Sequence, residues 1–205
     1  MIEPRDLNGG KGKAPAAARI ALLSLLYFCQ GLPGGFVAVA LPVILREQGR
    51  SLTLIGGLSL LASPWLLKFL WAPLADRYYV PSVGRRRSWL LPAQAALIAI
   101  TLAFASVDLT SQALLASLLF LMLNFAAATQ DIATDGLAVD VLDPRLMPAG
   151  NAAQVMGFKL GNIAGGGVLL ALSPRLTLRQ DFLLMAVPLT AAFFVVALLD
   201  EPRWL

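Results

Sequence analysis

Three aspartates stand close together in the segment ATQDIATDGLAVD, at the end of a long apolar run. On an α-helix Asp131 and Asp135 share one face, and Asn124 lies on the same side within an arc of about 40°. Such carboxylates can carry a proton or pair with a cation, and two at this spacing could hold Mg²⁺ between them. Asp140 projects almost opposite to Asp131, and we expect it to be a solvated residue at the inner membrane surface.

Asp131 is the carboxylate that we expect to lie deepest. A helix that begins near Gln112 crosses the hydrocarbon in about 20 residues, which leaves Asp135 one turn lower, near the headgroups. A charged carboxylate in the hydrocarbon costs about 2.5–3.5 kcal/mol, so it needs a wet cavity or a cationic partner. Lys68 belongs to the same inner half of the membrane and is the candidate partner. Lys159 either reaches the interface with its long stem or lines the cavity.

The elements that position these residues are apolar segments in a chain that is 58% hydrophobic and only 14% charged. This composition lies outside the range of soluble domains and indicates an all-α polytopic membrane protein, because each apolar segment of about 20 residues can cross a bilayer. Six transmembrane helices are predicted, at residues 20–45, 54–75, 89–107, 112–138, 149–172 and 182–199. The domain plan is a disordered cytoplasmic tail at 1–19, a six-helix bundle at 20–200 and a cytoplasmic end at 201–205.

The distribution of basic residues predicts the orientation. A cytoplasmic N-terminus places ten Lys and Arg residues inside and four outside, in agreement with the positive-inside rule. Membrane topology therefore explains the net charge of +4, and we expect the lipid bilayer, not nucleic acid, to be the partner of these residues. The predicted location is the inner (plasma) membrane, with several crossings.

Two of the predicted helices carry backbone signals. The first contains Gln30, Pro33 and neighbouring glycines at mid-span, which predicts a kink or short break there, and Gln30 is a candidate lining residue. The fifth carries a polar arc that includes Asn162, a further candidate. Beside that arc runs a strip of small residues that predicts close packing with a neighbouring helix, formed by Gly157, Gly161 and Gly165.

Several kinds of chemistry are excluded by residue content. The chain has no histidine, which rules out an imidazole base and histidine metal sites, and its one cysteine allows neither an intrachain disulfide nor a zinc cluster. An alternative is a membrane-embedded, Mg²⁺-dependent transferase that uses Asp131 and Asp135, but such enzymes usually need a second acidic cluster, which the other apolar segments lack. We therefore predict no enzymatic activity, no metal and no cofactor.

A charged loop between the second and third helices gives the clearest motif. Asp76-Arg77 ends the second helix and Gly84-Arg85-Arg86-Arg87 opens the third. This loop resembles the signature loop of the major facilitator superfamily, although Ala72 replaces the leading glycine. Within that superfamily the chain is similar to the branch of muropeptide permeases, siderophore permeases of the pyochelin and rhizobactin type, and acetyl-CoA transporters. The similarity also rests on Gly31-Leu32-Pro33, the segment KFLWAPL, Gln130-Asp131-Ile132, Asp135-Gly136 and GFKLG.

The resemblance implies half of a major facilitator fold, the N-terminal six of twelve helices. It also implies alternating access, in which Asp76 and Arg77 brace one state and the loop residues act as a conformational gate. The function expected is a proton-coupled secondary transporter of an organic solute, such as a siderophore or muropeptide. The expected solute and proton pathway consists of Gln30, Asn124, Asp131, Asp135, Lys159 and Asn162.

The chain has six predicted helices where the family has twelve. The transport cavity forms between two bundles, so we expect a second six-helix half or a homodimer as partner. The alternative is a non-transporting or split-transporter subunit that needs such a half.

Overall fold

The computed structural model describes residues 14–108 and 111–198, and every regular element in these ranges is helical. Most of the predicted tail and the predicted cytoplasmic end lie outside the described residues. The α-helices are α1 Ala16–Gly35, α2 Leu41–Glu47, α3 Leu52–Leu58, α4 Ser63–Leu67, α5 Ala72–Arg77, α6 Arg87–Phe104, α7 Ala113–Val141, α8 Met147–Asn162, α9 Leu169–Leu172 and α10 Leu178–Leu198.

Five helical segments within the described ranges are long and apolar enough to cross a membrane: Ala16–Glu47, Arg87–Phe104, Ala113–Val141, Pro144–Leu172 and Leu178–Leu198. The remaining predicted span, at 54–75, is an irregular chain of α3, α4 and α5 joined by 3₁₀ turns. Pro64 and Pro73 explain the interruptions, because proline cannot donate the backbone hydrogen bond that would join a helix to the turn before it. We call residues 52–77 the second segment.

In the first membrane segment, the irregular backbone hydrogen bonding lies at a different place from the one predicted. The helix continues through Pro33 to Gly35, and the irregular turn is a π-helix at Phe36–Ala40, which leads directly into α2. A second π-helix, Ile163–Val168, follows α8 and packs against the first. The helix therefore has no break at Pro33, and the irregular backbone that follows is a π-helix that continues into α2.

Glycines join α1 to α8 at backbone contact distance. A Cβ atom at Gly161 would lie 2.2 Å from the Phe28 carbonyl oxygen, and one at Gly31 would lie 2.2 Å from the Phe158 carbonyl oxygen. Only a residue without a side chain fits such a contact, so the predicted packing role of the glycine strip is confirmed. This pair of helices forms one side of the candidate site.

An aromatic cluster packs the C-terminal end of α6 against α7 and α10. Phe104 on α6 stacks on Phe182 of α10 with ring centroids 4.9 Å apart and lies 4.5 Å from Phe120 of α7. Phe36 from the first π-helix meets Phe182 edge-on at 5.0 Å. These buried rings fix the register of α6 against α7 and α10.

Candidate transport site

An ion pair joins the second segment to α7. The Lys68 ammonium contacts the Asp131 carboxylate, and their side chains are 34% and 10% exposed. The pair is the contact expected from the depth of the two residues in the sequence. A carboxylate this deeply buried is stabilised by a cation at close range, while the lysine side chain keeps a third of its surface exposed.

Two indole groups flank this ion pair. Trp65 Nε1 donates a hydrogen bond to Asn124 Oδ1 at 3.1 Å, and Trp71 Nε1 donates to Thr129 Oγ1 at 3.2 Å. Together with the ion pair, these contacts hold the irregular second segment against α7. Neither tryptophan was among the residues predicted to contact α7.

Asp135 has different partners from Asp131. The Tyr27 hydroxyl donates to Asp135 Oδ1 at 2.6 Å, and the Gln154 amide donates to the same oxygen at 3.5 Å. One turn away, Gln30 Nε2 donates to Thr134 Oγ1 at 3.2 Å. The polar face of α7 therefore contacts the second segment, α1 and α8 through separate side chains.

The two carboxylates do not converge on a common ligand. Asp131 binds Lys68 and Asp135 binds Tyr27, which leaves no paired set of oxygens for a divalent ion. Across residues 14–108 and 111–198 there is no group of three His, Cys, Asp or Glu side chains that could hold a metal. The arrangement does not fit the Mg²⁺ site of the transferase alternative.

A cavity of about 490 Å³ lies between α1, the second segment, α7 and α8. Its lining is mostly apolar, with Trp65 and Phe158 as aromatic walls and the amides of Gln30, Asn124 and Asn162 as polar groups. Ala127 also lines it and lies one helical turn from Asp131. An apolar cavity with a few convergent amides is typical of a small-molecule site.

The remaining candidate lysine lies elsewhere. Lys159 is exposed on α8, whereas Gly157 and Gly161 of the same helix are buried against α1. The structure therefore brings together Gln30, Asn124 and Asn162 at the cavity, with Asp131 beside it, and leaves Lys159 on another surface.

The charged loop forms a clamp at the end of the bundle opposite the aromatic cluster. Arg86 donates to Asp76 Oδ1 at 2.7 Å and to Asp140 Oδ2 at 2.6 Å, and thus links the second segment to α7. Burial alone would lower the pKa of the Arg86 guanidinium, but the hydrogen bonds to Asp140 and Asp76 raise this pKa above its ordinary value. A Cβ at Gly136 would lie 2.3 Å from Arg86 Nη1, so the glycine makes room for the clamp.

Asp140 thus differs from the solvated residue that the sequence predicted. Helical spacing gave its direction correctly relative to Asp131, but the long side chain of Arg86 reaches it from another helix. A contact of this kind depends on the register between helices, which periodicity within one helix does not contain.

Other residues of the loop bind backbone groups. Arg85 donates to the Asp76 carbonyl at 3.1 Å, and Arg87 donates to the Ala197 carbonyl near the end of α10 at 2.6 Å. Gly84 has a φ of 111°, a conformation that favours glycine at this turn. Arg77 is exposed and lies over the Tyr78 ring at 5.8 Å. Asp76, the acidic residue of the motif, contacts Arg85 and Arg86 instead.

Comparisons with known proteins agree with a membrane transporter. The chain is 35% identical over 185 residues to the anhydromuropeptide permease of Escherichia coli strain K12, which covers 90% of this chain and 38% of that permease. It is 33% identical over 177 residues to an uncharacterised protein of Haemophilus influenzae, covering 86% of this chain and 42% of that protein. An uncharacterised protein of Schizosaccharomyces pombe is 34% identical over 171 residues, covering 78% and 33%. The chain thus spans less than half the length of these relatives.

The relative and the family with a described activity are a permease and a transporter, not enzymes. Residues 19–188 match the family described as Acetyl-coenzyme A transporter 1, and this match covers most of the chain. The chain belongs to the acetyl-coenzyme A transporter 1 family of membrane proteins.

Proposed function

We propose that this chain is the N-terminal half of a major facilitator transporter. In this proposal it carries an organic solute across the inner membrane by alternating access, together with a second six-helix half or a second copy of itself. The observation that carries the proposal is the Lys68–Asp131 ion pair beside an amide-lined cavity. Structural ion pairs rarely lie in membrane segments unless they line a solute or proton path.

In this proposal the second segment is a sixth crossing beside the five long apolar segments. Residues 52–77 would extend about 39 Å as one straight helix, against roughly 30 Å of hydrocarbon, which leaves length for the interruptions between α3, α4 and α5. Six crossings put both ends of the bundle on the same side. The clamp of Asp76, Arg85 and Arg86 then lies at the cytoplasmic surface with the N-terminus, where basic residues are retained.

Proton coupling follows from the chemistry of the ion pair. When a proton binds to the Asp131 carboxylate, the charge that holds Lys68 is removed. The ammonium is then available to an anionic group of the solute in the cavity. Release of the proton restores the pair and displaces the solute, so one site couples the two movements.

The relatives indicate which solutes to test first. A relative is an anhydromuropeptide permease and the family is described as an acetyl-coenzyme A transporter, and both solutes carry anionic groups suited to Lys68. A siderophore is the third candidate, from the resemblance of the run ATQDIATDGLAV at residues 128–139 to siderophore permeases.

Uptake into proteoliposomes tests the proposal. The complete transporter, this chain with its second half, is reconstituted with a pH-sensitive dye inside and given each labelled solute in turn. Asp131→Asn is expected to abolish both solute uptake and the accompanying proton movement. Asp143→Asn is the matched control, because that carboxylate is 51% exposed and pairs with Arg19 away from the cavity. Normal uptake by Asp131→Asn at equal protein levels would overturn the proposal.

A further inference from the structure

Three glutamines are buried inside the bundle on different helices. Gln30 on α1, Gln94 on α6 and Gln130 on α7 are 1%, 2% and 0% exposed. Five of their side-chain polar atoms, Gln30 Oε1 and both polar atoms of each of the other two, form no hydrogen bond within the described ranges. A buried amide atom that stays unpaired loses the hydrogen bonds it made to water before folding, so native proteins rarely leave one.

Two of these glutamines are linked through one hydroxyl. Gln30 Nε2 donates to Thr134 Oγ1 at 3.2 Å, and the same hydroxyl donates to the Gln130 backbone carbonyl at 2.8 Å. Gln130 and Thr134 lie one turn apart on α7. Thr134 therefore connects the Gln30 side chain on α1 to the Gln130 backbone on α7.

Gln94 lies at the same depth. At one end of α6 Arg86 contacts Asp140 of α7, and at the other end Phe104 contacts Phe120. Gln94 is eight residues after Arg86 and ten before Phe104, while Gln130 is ten residues from both Asp140 and Phe120. At 1.5 Å per residue the Cα atoms of Gln94 and Gln130 are level within about 3 Å.

We propose that these three amides bind water molecules inside the bundle. The free atoms include both donors and acceptors, so the ligand must accept from the amide nitrogens and donate to the amide oxygens. A cation could bind only the amide oxygens and would leave the amide hydrogens unpaired, whereas water satisfies both needs with about three hydrogen bonds. Gln30 also lines the cavity, which gives water an entrance. The inference does not depend on transport or on its solute.

Radiolytic hydroxyl-radical labelling tests whether the site is wet. X-rays generate hydroxyl radicals from water where it is bound, and a nearby thioether is oxidised. Gln94→Met places that probe at the site, and Leu97→Met is the matched control, because Leu97 is 0% exposed on the same helix and belongs to the apolar core. In the full chain, in bilayers, the Gln94→Met site is expected to oxidise at least ~5-fold faster than the control site. Equal rates would overturn the proposal.

A stability measurement provides the second test. If water satisfies the amides, Gln94→Leu removes real hydrogen bonds and raises the unfolding equilibrium constant by about tenfold. If the amides have no ligand, the same change removes an unpaired polar group and lowers that constant, which would overturn the proposal. Loss of stability without oxidation in the first test would indicate direct amide pairing and also overturn it. Should the Gln94 variants fail to accumulate, Gln130→Met is compared with Leu123→Met.

Discussion

The Lys68 ammonium lies on the Asp131 carboxylate, yet the lysine side chain keeps 34% of its surface exposed and the aspartate only 10%. The two partners therefore depend on the contact to different degrees. Removal of the lysine strands a buried negative charge, whereas removal of the aspartate leaves an ammonium that can still reach solvent.

Single substitutions of the pair should show this asymmetry. We expect Lys68→Met to lower the free energy of unfolding by about 3 kcal/mol, and Asp131→Leu by about 1 kcal/mol. The double variant should recover most of the loss, because no charge is left buried. Detergent-titration unfolding measures all three, and equal losses from the two single variants would contradict the asymmetry.

Close packing of α1 against the π-helix at Ile163–Val168 gives a second prediction. A Cβ at Gly165 would lie 1.8 Å from the Leu32 carbonyl oxygen, whereas at Gly167, in the same π-helix, no heavy atom lies within 4 Å. Gly165→Ala should therefore cost about 1–3 kcal/mol of unfolding free energy by forcing the backbones apart. Gly167→Ala is the matched control and should unfold like the unsubstituted chain. Similar losses in both variants would show that the contact is not tight.

The clamp at Arg86 gives a third prediction. Arg86→Gln removes the bridge between Asp76 and Asp140, so α5 should move more freely against α7. The cost in unfolding free energy should be about 2 kcal/mol, less than for a fully buried pair, because the Asp76 side chain is 57% exposed.

Spin-label distances measure that movement directly. Labels at Leu74→Cys and Val139→Cys, both on exposed positions, report the separation of α5 and α7 in a Cys29→Ser background. Arg86→Gln should broaden the distance distribution. Arg77→Gln, which removes a guanidinium that lies over the Tyr78 ring, should leave the distribution unchanged. A broadening of equal size in both variants would speak against the clamp.

Much of this architecture follows from local sequence patterns. Apolar length gave the regular membrane helices, and helical spacing placed Asn124, Asp131 and Asp135 on the polar side of α7. The glycine strip predicted a close helix contact because small residues matter only where another backbone approaches. These features depend on single segments, and single segments can be interpreted from the sequence.

Features that depend on the register between segments could not be predicted. The partner of Asp140 is Arg86, which comes from another part of the chain. The partner of Asp135 is Tyr27, and nothing in the apolar run around Tyr27 indicates that it contacts a carboxylate. The second segment was predicted as one helix. Pro64 and Pro73 permit a kinked helix or several short helices equally well, so the sequence does not distinguish the two. The level of Gln94 with Gln130 is known only once α6 and α7 are paired.

In the proposed transporter the polar side of α7 faces an aqueous passage, while the rest of its exposed surface faces lipid. Two neighbouring positions test it. Asn124 is half-buried and lines the cavity, whereas Phe125 is 51% exposed and is not among the residues that line the cavity. Cysteines introduced singly at these positions, in the Cys29→Ser background, are treated in bilayers with a charged, membrane-impermeant thiol reagent.

Asn124→Cys is expected to react at least ~10-fold faster than Phe125→Cys, because the reactive thiolate forms only where water reaches it. Exposure alone would give the opposite order. Faster reaction at Phe125→Cys, or no reaction at Asn124→Cys, would contradict the aqueous passage.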